Sequence, residues 1–543
     1  MKNLLLVLFI FQMGFNLQAQ QKGKYWISFT DKEEMLPLLE RPSLFLSQKA
    51  IERRQLQGIA IDKSDLPVSK AYIAKLKALE IDIIFASRWM NMVSAELNAE
   101  QIKVVNELTF VSRIDLQTGF YKDGQNKEAN ITNDIVSTSE LATYYGLAEN
   151  QIEMLKGIEL HDLDYKGQEM TIAVLDAGFR DADSLPIFQE AWINNRIEIG
   201  PDFVRGNDTL VDFSHSTHGT NVLGFMAGNI PETYVGTAPL ANYILIRTEN
   251  APSEDIVEEH YWLQGAEYAD SLGADLINSS LGYTTFDDSL QSHNYYDLDG
   301  NTTLITNAAD MAASKGILVV SSAGNSGSQE WHFISAPADA DSVLTIGSVN
   351  GLGVSSPFSS HGPTADGRIK PNIVAQGQFI FTANIDSSFY PSSGTSFSAP
   401  VLTGMAACLW QYKREVESSS VTNMEIISLL ETSSSLFPFS NADMGYGIPN
   451  FELAMFPLTL SEEFMDQVSI YPNPFDNVLH IEIGELIISD YQLIDIFGRI
   501  IFHGTNNEMN TSLEIQWPSE LVKGTYFLKL TTNGGELLKK LIK

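Results

Sequence analysis

Residues 392–400, SSGTSFSAP, set a hydroxyl at Ser396 between small residues. Gly394 lies two positions before it and Pro400 four after, at the start of a run that reads as a helix. Two readings of these nine residues are open: a serine that caps a helix or turn, or a nucleophile at a helix start. A serine nucleophile needs a base, a group that orients the base, and a donor for the developing oxyanion. Three other stretches supply those residue types. TIAVLDAG ends an apolar run in Asp176 and turns at Gly178; a carboxylate there is either paired or caps the next turn. STHGTNVLGFMAGN puts His218 directly before Gly219 where a helix begins, and His215 is a rival that lacks the following Gly-Thr. VVSSAGNSG ends another apolar run in Asn325, whose amide is either a turn residue or a donor to an oxyanion. Each residue taken singly has an ordinary structural explanation. Together they make a complete set.

The elements that must position them read as follows. Apolar runs TIAVLD (171–176), ANYILIRT (241–248), ADLINSSLG (274–282), GILVVSSAGN (316–325) and SVLTIGSVN (342–350) alternate with helical stretches at 258–272, 303–315 and 397–414. Continuous apolar strands between helices predict an open, mostly parallel sheet covered on both faces. In such α/β sheets active residues gather at the carboxyl ends of the strands, where Asp176 and Asn325 fall.

Four blocks, VLDAG, HGT, SSAGN and GTSFSAP, with Asp, His and Ser in that order, resemble the subtilisin-like serine protease family. FSSHGPTADGRIKPNIVAQG (358–377) is similar to the family's segment leading to the serine. The resemblance covers most of 140–456 and implies a secreted endopeptidase. In that reading Ser396 attacks the scissile carbonyl, His218 carries the proton, Asp176 orients the imidazole, and Asn325 with the Ser396 backbone N–H holds the oxyanion. It further implies that Ser280, Leu281 and Gly282 line the cleft and pair with an extended polypeptide substrate. One departure is Ala177, where the family usually has Ser or Thr, so a hydroxyl beside the catalytic carboxylate is missing. Two rival classes are an adhesion or binding protein on an inactive protease scaffold and an esterase. The intact set opposes the first, and the lack of a Gly-x-Ser-x-Gly elbow opposes the second.

Residues 1–20 have one early lysine, an apolar run from Leu4 to about Phe15 and a small-residue site near Ala19, the layout of a secretory signal peptide. Residues 22–117 mix strand-like KYWISF with helix-like LSQKAIERRQL and SKAYIAKLKAL, and end in a strand–helix–strand piece, a small α+β module. NMVSAELNAEQIKVVNEL is similar to the end of a subtilase propeptide. The polar stretch 118–139 reads as a linker, with cleavage expected between about 118 and 145. Residues 462–543 are short strand-like runs separated by turns, an all-β sandwich. Tyr471-Pro472-Asn473-Pro474 before a strand, YQLIDIFGRII, and the KGTYFLKLTTNGGELLKKLIK terminus resemble the sorting domain with which Bacteroidetes-type bacteria export proteins. That resemblance implies a Gram-negative source, a route through the periplasm to the outer surface or medium, and the outer-membrane secretion machinery as partner.

Acidic residues outnumber basic ones 68 to 34, a formal charge of −34, which argues against nucleic acid or an anionic membrane as partner. Cys408 is the only cysteine, so no internal disulfide can form. No organic cofactor is expected. Calcium often stabilises the family, but the sequence assigns no metal site: DLDG (297–300) lacks the later glutamate of an EF-hand loop and reads as solvated surface acid.

Overall fold

The computed structural model describes residues 22–117, 143–206, 209–416, 421–455, 468–484, 487–495, 500–506, 512–517, 521–532 and 535–543. The expected signal peptide and the 118–139 linker lie outside the described residues.

The central region is built on seven strands: β1 (Thr171–Asp176), β2 (Ile197–Asp202), β3 (Asn242–Arg247), β4 (Leu276–Ser279), β5 (Leu318–Ser322), β6 (Leu344–Val349) and β7 (Ile373–Gln376). They form one parallel sheet in the order β7-β6-β5-β4-β1-β3-β2. Every residue of β1 is buried, because side chains alternate between two covered faces. Ile172 and Val174 enter a core with helix α1 (His218–Ala227) and helix α4 (Thr395–Val416). Ala173 and Leu175 enter a second core on the opposite face with α2 (Val257–Leu272) and α3 (Leu304–Ser314). Strand order reverses around β1, whose neighbours are β4 on one side and β3 on the other. A crevice therefore opens at its carboxyl end.

The five apolar runs and three helical stretches expected from sequence are all present, with shifts of a few residues at their ends. Strands β2 and β7 carry no comparable apolar run, and both sit at the sheet's edges. Strand β2 contains Pro201, which cannot donate to a ladder and is tolerated at such an edge.

The N-terminal module is an antiparallel four-stranded sheet with Met92–Leu97 and Gly23–Phe29 at its centre and Asp82–Ser87 and Val111–Gln117 outside. It packs against α2 and α3 of the central region. Trp26, Phe85, Trp89 and Met92 belong to the same core as α2 and α3, and Trp26 stacks on His260 with ring centres 4.1 Å apart. At the seam Asp270 is fully buried and bonded to Arg53, Arg54 and Arg88. Three guanidinium groups around one carboxylate hold its pKa down, although burial alone, the largest single influence, would raise it.

The C-terminal module is a sandwich of a three-stranded and a four-stranded antiparallel sheet, as expected, with Leu479, Ile481, Leu493, Ile515, Leu528 and Leu541 in its core. Ile488–Asp495 and Ile500–Thr505 are antiparallel neighbours. Among the described residues no helix is long and apolar enough to cross a membrane.

Candidate active site

Asp176 ends β1 at the reversal of strand order and is fully buried. Its Oδ1 accepts from the Ala177 backbone N–H at 2.8 Å and from His218 Nδ1 at 2.8 Å. A carboxylate can only accept, so Nδ1 carries a proton, and in the neutral ring Nε2 is left as the acceptor. Oδ2 is buried with no hydrogen-bond partner among the described residues, on a carboxylate followed by alanine instead of a hydroxyl-bearing residue. The helix bearing His218 can approach this closely because Gly219 follows it. A Cβ there would sit 2.4 Å from the Gly178 carbonyl oxygen and 2.9 Å from the Asp176 Cβ. His215, the rival histidine, lies by Asp212 at 3.6 Å instead.

Burial, the largest single influence on the His218 imidazole, pulls its pKa down. The charge and hydrogen bond of Asp176, with the charge of Glu249 behind them, outweigh it, and the pKa stands at about 9. Glu249 follows β3 and shares this corner of the cleft. Burial and then the Asp176 charge push its own pKa up to about 7.

Ser396 is the second residue of α4, where the backbone N–H groups lack helical partners and favour negative charge. Pro400 has no N–H, so the Ser396 carbonyl receives no helical bond from it. Ser280 Oγ fills that place at 2.8 Å, and Ser396 Oγ donates in return to the Ser280 carbonyl at 3.2 Å. The wall segment and the serine are thus tied together across 116 residues. The ring of Phe397, one residue on, lies 6.2 Å from the His218 ring.

Asn325 lies just beyond β5. Its Oδ1 accepts from the Thr395 N–H at 2.9 Å and from Thr395 Oγ1 at 3.0 Å. The N–H can only donate, so the oxygen must face Thr395 and the amide nitrogen is left free. Thr395 Oγ1 also accepts from the Gly324 N–H at 3.1 Å. Thr395 and Glu249 were not singled out by the sequence. The Gly-Thr before Ser396 was visible, but its partner is 70 residues away.

Of the three residues expected to line the cleft, Ser280 is bonded to Ser396 and Gly282 is exposed, whereas Leu281 is 5% exposed and belongs to the second core. Only its backbone is available to a substrate. In the 297–300 stretch the carboxylates serve local caps, Asp297 on Asn294 and Asp299 on Asn301 and Thr302. Among the described residues no group of three or more His, Cys, Asp or Glu is placed to hold a metal ion.

A hydroxyl at a helix N-terminus, an imidazole on a buried carboxylate and an amide held by Thr395 thus lie on elements of one parallel sheet and the helices packed on it. The Subtilase family model matches residues 167–448, just over half of the chain, and the chain belongs to that family of serine endopeptidases. The model for the peptidase S8 propeptide domain of Bacteroidota matches residues 24–132, and that for the secretion system C-terminal sorting domain matches residues 469–543. Subtilisin DY of Bacillus licheniformis is 27% identical over 274 residues, which cover 50% of this chain and 88% of the relative. Serine protease AprX of Bacillus subtilis is 28% identical over 48% of this chain and only 60% of its own length. An alkaline protease of Shouchella clausii is 24% identical over 80% of this chain and 92% of its own. A solved mutant protease domain of PatA is 23% identical, with a TM-score of 0.43 over 54% of this chain and 96% of that one.

Proposed function

We propose that the chain is the precursor of an exported endopeptidase that cleaves extended polypeptides through Asp176, His218 and Ser396. The observation that carries this reading is the 2.8 Å bond from His218 Nδ1 to the buried Asp176, which leaves Nε2 as the acceptor beside the helix that bears Ser396. On substrate binding the Ser396 hydroxyl exchanges the Ser280 carbonyl for Nε2. Catalytic hydrogen bonds commonly tighten only in the complex. Oγ then attacks the scissile carbonyl carbon, its proton passes to Nε2, and Asp176 stabilises the imidazolium. The oxyanion is met by Asn325 Nδ2 and the Ser396 N–H. His218 returns the proton to the leaving amine, and water repeats the sequence on the acyl-enzyme. The nucleophile, the base and the oxyanion donors in this scheme all belong to the protein. The backbone of Ser280–Gly282 pairs with the substrate as an added strand.

The N-terminal module acts as the propeptide, and the C-terminal sandwich engages the outer-membrane secretion machinery after passage through the periplasm. A fluorophosphonate probe labels the mature protein, and Ser396→Ala abolishes both labelling and casein cleavage. Equal labelling of the two proteins excludes Ser396 as nucleophile. Removal of 462–543 leaves the enzyme active but retained in the cell; normal release of the truncation excludes the sorting role.

A further inference from the structure

The N-terminal module holds the central region at two separate places. Trp26 and Phe85 of its sheet meet His260 in the first turn of α2, with ring centres 4.1 and 6.4 Å away. An arm at 41–66 reaches the other end of α2 and α3, at the amino edge of the parallel sheet. Its helix, Gln48–Leu56, lies where both of those helices finish. The Ser47 N–H donates to the Ser271 carbonyl at 2.8 Å, one of the last carbonyls of α2, which lack helical partners. Arg53 donates to the carbonyls of Ala274 and Lys315, and Gln57 Nε2 donates to that of Gly316 at 2.7 Å. A Cβ at Gly273 would lie 2.6 Å from the Ala50 nitrogen, and one at Gly316 would lie 2.7 Å from Gln57 Nε2. The arm therefore occupies the space that side chains there would take. Lys49 Nζ donates to the hydroxyl of Thr171, where β1 begins, and pairs with Asp275 at 3.1 Å.

The arm does not order itself. Leu46, Ala50 and Ile51 form its buried apolar cluster, apart from the core of the module's own sheet, and three such side chains do not hold a fold. Its charges are matched across the seam. Arg54 joins Asp65 of the arm to Asp270 of α2, and Lys315, just beyond α3, reaches Asp65 at 3.4 Å. Arg53, Arg54, Asp65 and Asp270 are all buried, so each side supplies counter-charges that the other needs. None of this involves the cleft. From Thr171 to Asp176, β1 runs five steps of about 3.3 Å, about 16 Å in all. The side-chain hydrogen bonds of Asp176, His218, Ser396 and Asn325 all stay within the central region.

We propose that the N-terminal module, once cut from the catalytic domain between about 118 and 145, stays docked through this arm as a lasting second chain of the active enzyme. The proposal rests on the processing and catalytic reading above. Cleavage removes the tether and with it the high effective concentration, but it leaves every contact of the arm in place. An interface with a shared apolar core and buried, matched charges has the character of a permanent one. Substrate enters at the carboxyl edge of the sheet and meets none of the arm's contacts, so it does not displace the module.

The test is gel filtration of the secreted, processed wild-type protein, with intact mass, fluorophosphonate labelling and casein cleavage read across the eluted peak. The N-terminal fragment co-elutes one-to-one with enzyme that is labelled and active. Arg53→Gln and Arg54→Gln each leave buried carboxylates short of a counter-charge and speed loss of the fragment by at least about 100-fold. Lys49→Ala, at a partly exposed pair, speeds it only a few-fold and keeps the comparison open where the arginine variants do not fold. Active enzyme that has shed the fragment overturns the inference and leaves the catalytic reading standing. So does a fragment-bearing peak that gains label and activity only when the fragment leaves. A chain that is labelled and active with no cut between about 118 and 145 overturns the processing reading and the inference with it. Absence of label in every form overturns the catalytic reading too.

Discussion

Thr395 is the most direct lever on the proposed oxyanion site that does not touch the reacting atoms. Its hydroxyl makes two contacts: it donates to Asn325 Oδ1 at 3.0 Å and accepts from the Gly324 N–H at 3.1 Å. Thr395→Val removes both while keeping the shape and the stiff β-branched rotamer. Asn325 Oδ1 keeps its bond from the Thr395 N–H, so the amide is loosened, not released. Losing such a donor outright costs about 100- to 1,000-fold in turnover, a range established on subtilisin itself. One orienting hydrogen bond contributes about 1 kcal/mol, so kcat should fall roughly five- to tenfold. The oxyanion exists only on the way to the tetrahedral state, so KM should hardly move. The Gly324 N–H loses its acceptor, and stability should drop by about 1–3 kcal/mol, read as a lower urea midpoint at constant m-value. Steady-state kinetics on a chromogenic peptide, with urea unfolding of the same preparation, separates the two effects. If stability falls as expected while kcat stays at the wild-type value, Thr395 is a purely structural residue and the orientation argument fails.

Further outcomes follow from the same structure. With the His218 pKa at about 9, the neutral base is lost below that pH, so kcat/KM should rise toward the alkaline side. Glu249→Gln removes a charge that favours the imidazolium and should move the midpoint down; an unmoved midpoint refutes the coupling. The linked stability has the opposite sign. A raised folded-state pKa stabilises fully below the ordinary 6.5 and that contribution is lost as pH rises through about 9. Ala177→Ser offers a donor to the unpartnered Asp176 Oδ2 and should add about 0.5–1.5 kcal/mol to stability, measurable as a higher urea midpoint; a fall in that midpoint would show that the added hydroxyl does not reach the carboxylate. Asp270→Asn in the unprocessed chain should destabilise by about 3–5 kcal/mol, because three guanidinium groups lose their shared charge. The depressed Asp270 pKa places that stability above the ordinary carboxylate value and removes it in acid. Wild-type-like unfolding of the variant would show that the seam does not depend on this carboxylate.

Much of the architecture was legible in the chain because its causes are local. A strand covered on both faces must be apolar throughout, so β1, β3, β4, β5 and β6 announce themselves, whereas edge strands β2 and β7 need not. The glycines beside Asp176, His218 and Ser396 are equally local marks of close backbone approach. The partners that orient the site are another matter. Ser280 meets Ser396 across 116 residues, Asn325 meets Thr395 across 70, and His218 meets Asp176 across 42. Which of these side chains meet depends on strand order: β4 lies between β1 and β5, and α1 and α4 share one face of the sheet. Sequence determined the inventory of chemical groups and the elements that carry them. Only the tertiary structure decided which polar group finds a partner and which, like Asp176 Oδ2 among the described residues, is left without one. A hydrogen bond is set by distances of a few ångströms between atoms that chain order leaves far apart.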